Sequence, residues 1–201
     1  LEQNIMGVVD MTLGTQGSLD KYSKKFATVM LPFAFDSYDL AYEVLDGPFY
    51  DWVKDELLEQ GLVYIGSWDY GFRCLTNSKR DVRSVEDVKG LKIRVQDMKS
   101  QTDMMSYLGG IPVAMSYGDV YTSLQTGIID GTENNETALT TGKHGEVCKV
   151  YSVDQHAMIP DVLIMSEKVW KTISPEDQQI LLEAAHDSTD AQKVMWDTAV
   201  E

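Results

Sequence analysis

Short apolar runs of β character alternate with helical patterns along the whole of this chain, and no other feature of the sequence limits its fold as tightly. The runs are mostly continuous rather than apolar at every second residue, as expected when strands are covered on both faces, so the fold class is α/β. The pattern predicts strands over residues 7–13, 62–67, 72–75, 92–95, 112–115, 128–130, 147–152 and 162–165. Helical patterns fall between them at 37–47, 48–61, 100–110, 116–127 and 134–145, several closed by a glycine suited to a left-handed cap. A long helix is predicted from Pro175 to the last residue, with Ser174 as N-cap and Glu176 and Asp177 at the positive end of its dipole. No repeat, low-complexity tract or Pro/Gly/Ser-rich linker divides the 201 residues, so two domains would be joined by strands passing between them.

The formal net charge is −15, which argues against nucleic acid and anionic membrane, since both need a basic face. No apolar run is long enough to insert directly into a bilayer. The opening "LEQNIMGVVDM" resembles the end of a helix running into a strand, and the closing helix stops without a capping signal. The expectation is therefore a chain cut at both ends, with any export signal before residue 1. Cys74 and Cys148 match no zinc spacing and read by default as buried thiols, with a single bridge in an oxidising compartment as the alternative. Enzyme and cofactor motifs are missing: there is no GxSxG, HExxH, P-loop or GxGxxG, and no cofactor is expected.

Against this acidity, seven of the 17 Lys and Arg lie between Arg73 and Arg94. Five read as solvated charges. Arg73 and Arg94 are flanked by apolar residues, and Arg94 sits in the middle of a predicted buried strand, "LKIRV". The stretch "DGTENN", Asp130–Asn135, fails as a calcium loop because Asn135 stands where glycine is needed and Thr141 where the bidentate glutamate is needed. It reads better as a strand, "GIID", ending at a glycine turn, with Asn134 and Asn135 opening a helix at the carboxyl edge of a sheet, where open α/β sheets bind ligands. Trp68, Tyr70, Phe72 and Tyr117 lie near strand ends, where aromatics are either core or the wall of a pocket.

Together "YGFRCLTNSKRDVRSVEDVKGLKIRV", "LGGIPVAMSYGDVYTSLQTGIIDGTENN" and "SEKVWKTISPEDQQILLEAA", with "VVDMTLGTQG" and "MLPFAF" earlier, resemble the DctP family of solute-binding proteins of tripartite ATP-independent periplasmic (TRAP) transporters. The resemblance implies a periplasmic-binding-protein-like fold. Residues 1–71 with 160–201 would form one α/β domain and 72–159 the other, with a cleft that closes on a small organic acid. It implies that Arg94 clamps the ligand carboxylate, that Arg73 is a second ligand-facing arginine, that Asn134 and Asn135 read hydroxyls, and that Tyr117 forms an aromatic wall. Trp68 and, from the first domain, Thr15 and Gln16 would add contacts. The doubled asparagine and "DQHAMIPDVLIMS" look like the subgroup that takes sugar acids, especially hexuronates. Asp81 departs from the family, which often has proline there. The implied partners are the organic acid and the membrane permease subunits, and the implied location is periplasmic, or extracytoplasmic and lipid-anchored in a Gram-positive cell. The alternatives are an enzyme using Asp130 or Glu133 as acid or base on a sugar acid, and a fragment whose cleft is incomplete.

Overall fold

The structure, a computed structural model, describes residues 1–68 and 71–200. Tyr70 lies outside the described residues. The chain forms two compact units, one of Leu1–Val29, Ala34–Tyr70 and Ile159–Glu201, the other of Met30–Phe33 and Gly71–Met158. The α/β class and the long closing helix expected from the sequence are both present.

In the first unit, β1 (Met11–Thr15), β8 (Asp161–Ser166) and β2 (Leu62–Trp68) form an antiparallel sheet in the order β1-β8-β2. The first strand begins later than expected. Residues 2–6 form a helical turn closed by Gly7 at φ 75°, a conformation open to glycine, and the buried Asn4 side chain donates to the Val9 carbonyl. Helices Tyr38–Leu45 and Pro48–Glu59 start as their sequences dictate: Ser37 accepts from Leu40 N at 3.3 Å, and Pro48 occupies the opening turn, where its missing N–H costs nothing. Helix Pro175–Val200 is capped by Ser174, whose hydroxyl accepts from Asp177 N at 3.1 Å. Thr189 ties this helix to β2 by donating to the Ser67 carbonyl at 3.0 Å.

The second unit is built on a mixed sheet of five strands, in the order β5 (Ile111–Ala114), β4 (Lys92–Val95), β6 (Gly131–Asn134), β3 (Phe72–Asn77), β7 (Val150–Met158). β4 runs parallel to β5 and β6, whereas β3 runs antiparallel to β6 and β7. Every residue of β3 is buried, which fits a sequence that is apolar or small-polar apart from Arg73. On one side, Leu75, Ile93 and Val95 pack with Val88, Leu91, Met104 and Met105; another cluster joins Val120, Leu124, Ile129 and Cys148. Cys74 and Cys148 are free, buried thiols.

The strand expected at 128–130 is displaced. Ile128 N and Ile129 N both bond back to the Ser123 carbonyl behind a left-handed Gly127, so these apolar residues finish the helix-to-strand turn. The strand is "GTEN" instead. Gly131 is not a turn residue but the point where β6 meets β3, and a Cβ there would press into the Thr76 carbonyl oxygen. Accordingly the helix expected over 134–145 contracts to two short turns, Thr137–Thr140 and His144–Val147.

Candidate functional site

Arg94 occupies the middle of β4 and is 4% exposed. Its neighbours Ile93 and Val95 face the Leu75 cluster, so strand alternation turns Arg94 to the other face, beside its register partners Val113 and Thr132. Nε and Nη2 both donate to the Met115 carbonyl, at 3.1 and 3.0 Å. Among the described residues no carboxylate oxygen comes within 4.0 Å of the guanidinium. Burial pulls its pKa below the ordinary value; Glu133 opposes that pull and the charge of Arg73 reinforces it. A buried cation satisfied only by a carbonyl is an uncommon state for a folded chain to keep.

Two uncharged polar groups accompany it. Thr132, fully buried, has no hydrogen-bond partner for its hydroxyl among the described residues, and His144, 2% exposed, has none for Nδ1. Burial and the nearby Arg94 lower the His144 pKa, so its imidazole is neutral at pH 7. Tyr117, half exposed, lies against the His144 ring with centroids 5.6 Å apart. Gly142 leaves room for this arrangement: a Cβ there would sit 2.5 Å from the Tyr117 hydroxyl.

Arg73 is placed differently. Its Nε donates to Glu133 Oε2 at 2.5 Å and its Nη2 to Oε1 at 3.0 Å and to the Glu133 carbonyl at 2.8 Å, a two-pronged pairing inside the protein. Glu133 is fully buried. Burial alone would raise its pKa, but Arg73 and His156 outweigh that and hold it at about 2. His156 Nε2 stands 3.5 Å from Glu133 Oε2, an electrostatic approach rather than a hydrogen bond, while Nδ1 is 3.0 Å from Asp154 Oδ2. Here too burial works against the charged form, and the two carboxylates prevail, raising His156 to about 9. Asp154 also accepts from Leu75 N, so the ionic chain Arg73–Glu133–His156–Asp154 fastens β3, β6 and β7 together.

Asn134 ends β6, partly buried, with its side-chain oxygen accepting from Asn135 N at 2.9 Å. Asn135, 7% exposed, accepts from the Thr137 hydroxyl at 2.8 Å. Trp68 and Gln16 belong to the first unit. Trp68 packs with Ile65, Met165 and Ala185 and donates Nε1 to Ser188 at 3.1 Å. Gln16 is fully buried, and among the described residues neither end of its amide has a partner; Thr15 pairs with Asp161 at the end of β1.

Both carboxylates of the enzyme alternative have structural partners. Glu133 is locked as an ion. Asp130 accepts from Lys92 N at 2.9 Å and, through its carbonyl, from Ser78 N, so it braces the start of β6. Thr132, His144, Asp154 and His156 were not picked out from the sequence. The one available signal was the spacing of Asp154 and His156, two apart in a strand and therefore on one side of it.

The family described as bacterial extracellular solute-binding protein, family 7 (DctP), matches residues 1–201. YiiZ of Salmonella typhimurium is 38% identical over 202 residues, covering 100% of this chain and 62% of its own. A TRAP periplasmic solute-binding protein from Bradyrhizobium, solved with α/β-D-galacturonate, superposes with a TM-score of 0.93 at 38% identity, over 98% of this chain and 66% of that one. Another, from Anaerococcus prevotii with bound α/β-D-glucuronate, gives 0.94 at 34% identity, over 99% and 65%. The chain thus spans somewhat less than two thirds of the length of these proteins.

Proposed function

We propose, because this chain belongs to the bacterial extracellular solute-binding proteins of family 7, that it captures a sugar acid, with a hexuronate the best candidate, by pairing the ligand carboxylate with Arg94. The observation that carries this reading is the buried guanidinium whose partner is a carbonyl. Desolvating such a group without a counter-ion costs several kcal/mol, and a carboxylate is the planar anion its fork of N–H groups matches. The two structural neighbours described above hold a galacturonate and a glucuronate, each a carboxylate on a hydroxylated ring. In this reading Thr132, Asn134 and Asn135 are the amide and hydroxyl groups that meet the sugar hydroxyls, and Tyr117 supplies a ring face for its C–H surface. Arg73, paired with Glu133 along its Nε–Nη2 edge, is carried as a ligand contact by family likeness. Gln16 of the first unit is carried as a contact by family likeness alone, and Trp68 as an aromatic at a strand end.

The cargo would pass to a membrane permease, with the protein working outside the cytoplasm; among the described residues no helix is long and apolar enough to cross a membrane. Titration calorimetry with D-galacturonate and D-glucuronate, beside neutral galactose, tests the reading. Both acids are expected to bind and galactose to give no heat. Equal binding of galactose, or binding of neither acid, would remove the carboxylate clamp from the account.

A further inference from the structure

We infer that the Arg94 site is matched to a ligand with a single negative charge and discriminates against dianions, a reading that rests on the carboxylate clamp proposed above. The inference comes from the charges buried in the second unit. Among its described residues the buried side chains able to be charged near neutral pH are Arg73, Arg94, Glu133, His144 and His156. Arg73 is matched by Glu133 in a two-pronged pair, and His156 by Asp154 at 3.0 Å, with Glu133 also near. That chain of four, with the exposed Asp154 at its outer end, holds two cations and two anions. His144, next to Arg94, is neutral. Among the described residues, the buried positive charge with no carboxylate within 4.0 Å is that of Arg94.

With Asp154 included, a monocarboxylate brings these groups to neutrality. A second carboxylate on the same ligand would meet the uncharged Thr132 hydroxyl, the two asparagine amides and the His144 imidazole, and an Arg73 whose charge Glu133 already matches, so it would be desolvated without a counter-ion of its own. The surrounding protein, at −15, offers it no relief. The discrimination is therefore by charge and not by size. The route open to a dianion is to take up a proton, either on its own second carboxylate or on His144, and binding would then consume that proton.

The test uses galactonate and galactarate, linear acids that differ only in carrying one carboxylate or two, alongside D-galacturonate. Calorimetry at pH 7.5 in two buffers of different ionisation enthalpy yields both affinity and proton uptake. Galactarate is expected to bind at least tenfold more weakly than the tighter of the two monoanions, and with uptake of about one proton, while the monoanions take up none. Galactarate binding as tightly as the better monoanion, without proton uptake, overturns the inference and leaves the clamp standing; failure of every acid to bind removes both. Glu133→Gln separates charge from shape, because it deletes one internal anion and leaves two cations unmatched. In that variant, shown by circular dichroism to be folded, the affinity for galactarate relative to galactonate should rise at least tenfold. An unchanged ratio in the folded variant counts against the inference, and should the variant not fold, the comparison on the natural chain decides.

Discussion

Arg94 and Arg73 are both 4% exposed, yet one is held by a carbonyl and the other by a carboxylate, so removing Arg94 and removing the partner of Arg73 should have different consequences. Arg94→Ala takes away a cation that has no carboxylate partner, so the ligand-free protein should keep its stability while ligand affinity falls by about 2–5 kcal/mol. Arg94→Lys should lose most of the same amount, because an ammonium cannot reproduce the two-pronged contact. Calorimetry against a hexuronate and urea unfolding of the empty protein measure the two effects separately. Glu133→Ala, by contrast, strands Arg73 and should destabilise the fold by about 3–5 kcal/mol in the same urea experiment. The ionic chain also sets the pH range of stability. Glu133, held at about 2 against an ordinary 4.5, contributes stability that is complete above about pH 4.5 and is lost as pH falls towards 2. His156, raised from 6.5 to about 9, contributes stability that is complete below about pH 6.5 and is lost as pH rises through 9. Unfolding midpoints should therefore plateau between about pH 4.5 and 6.5, and His156→Gln should flatten the alkaline limb. A midpoint indifferent to pH between 6.5 and 9 would contradict the assigned charge of His156.

Gly131 shows how a single strand depends on a missing side chain. Gly131→Ala puts a methyl group against the Thr76 carbonyl, the Asn77 side chain and Ile93, at the junction of β3, β4 and β6. Overpacking of this kind typically costs about 1–3 kcal/mol, and the loss should appear in urea unfolding together with weaker ligand binding, since Thr132 and Asn134 follow in the same strand. Ser174→Ala, which removes the cap of the closing helix, should cost about 1 kcal/mol and leave binding unchanged. The two positions also mark what the sequence reveals and what it hides. Ser174-Pro175 announces a helix start through local chemistry, and the structure obeys it. At 127–129 the apolar "GII" looks like strand to any local reading, but hydrogen bonds to Ser123 end a helix there, and the pairing with β3 selects "GTEN". Arg94 could be picked out because a charge within an apolar run is anomalous in itself. His144 and His156 could not, for their meaning depends on Arg94 and Glu133, which lie far from them in sequence and close to them in space.

The whole molecule carries a charge of the same sign as its proposed ligand. At low ionic strength the summed field repels an approaching carboxylate, whereas at physiological salt it is screened beyond about 8 Å. The association rate for a hexuronate should therefore rise as salt is added from a few millimolar to physiological strength, the reverse of electrostatic steering. Stopped-flow tryptophan fluorescence would follow it; a rate that falls with salt would mean that a local positive field dominates the approach. The two-unit division has a different kind of consequence. The second unit takes in Met30–Phe33 from early in the chain, with Met30 fully buried and Phe33 N donating to the His156 carbonyl at 2.8 Å. A contiguous stretch such as 71–158, cloned as a stand-alone binding module, would thus leave behind a hydrophobic plug and expose the backbone next to the histidine that neutralises the ionic chain. Anyone trimming this protein to a minimal sensor should graft those four residues back on.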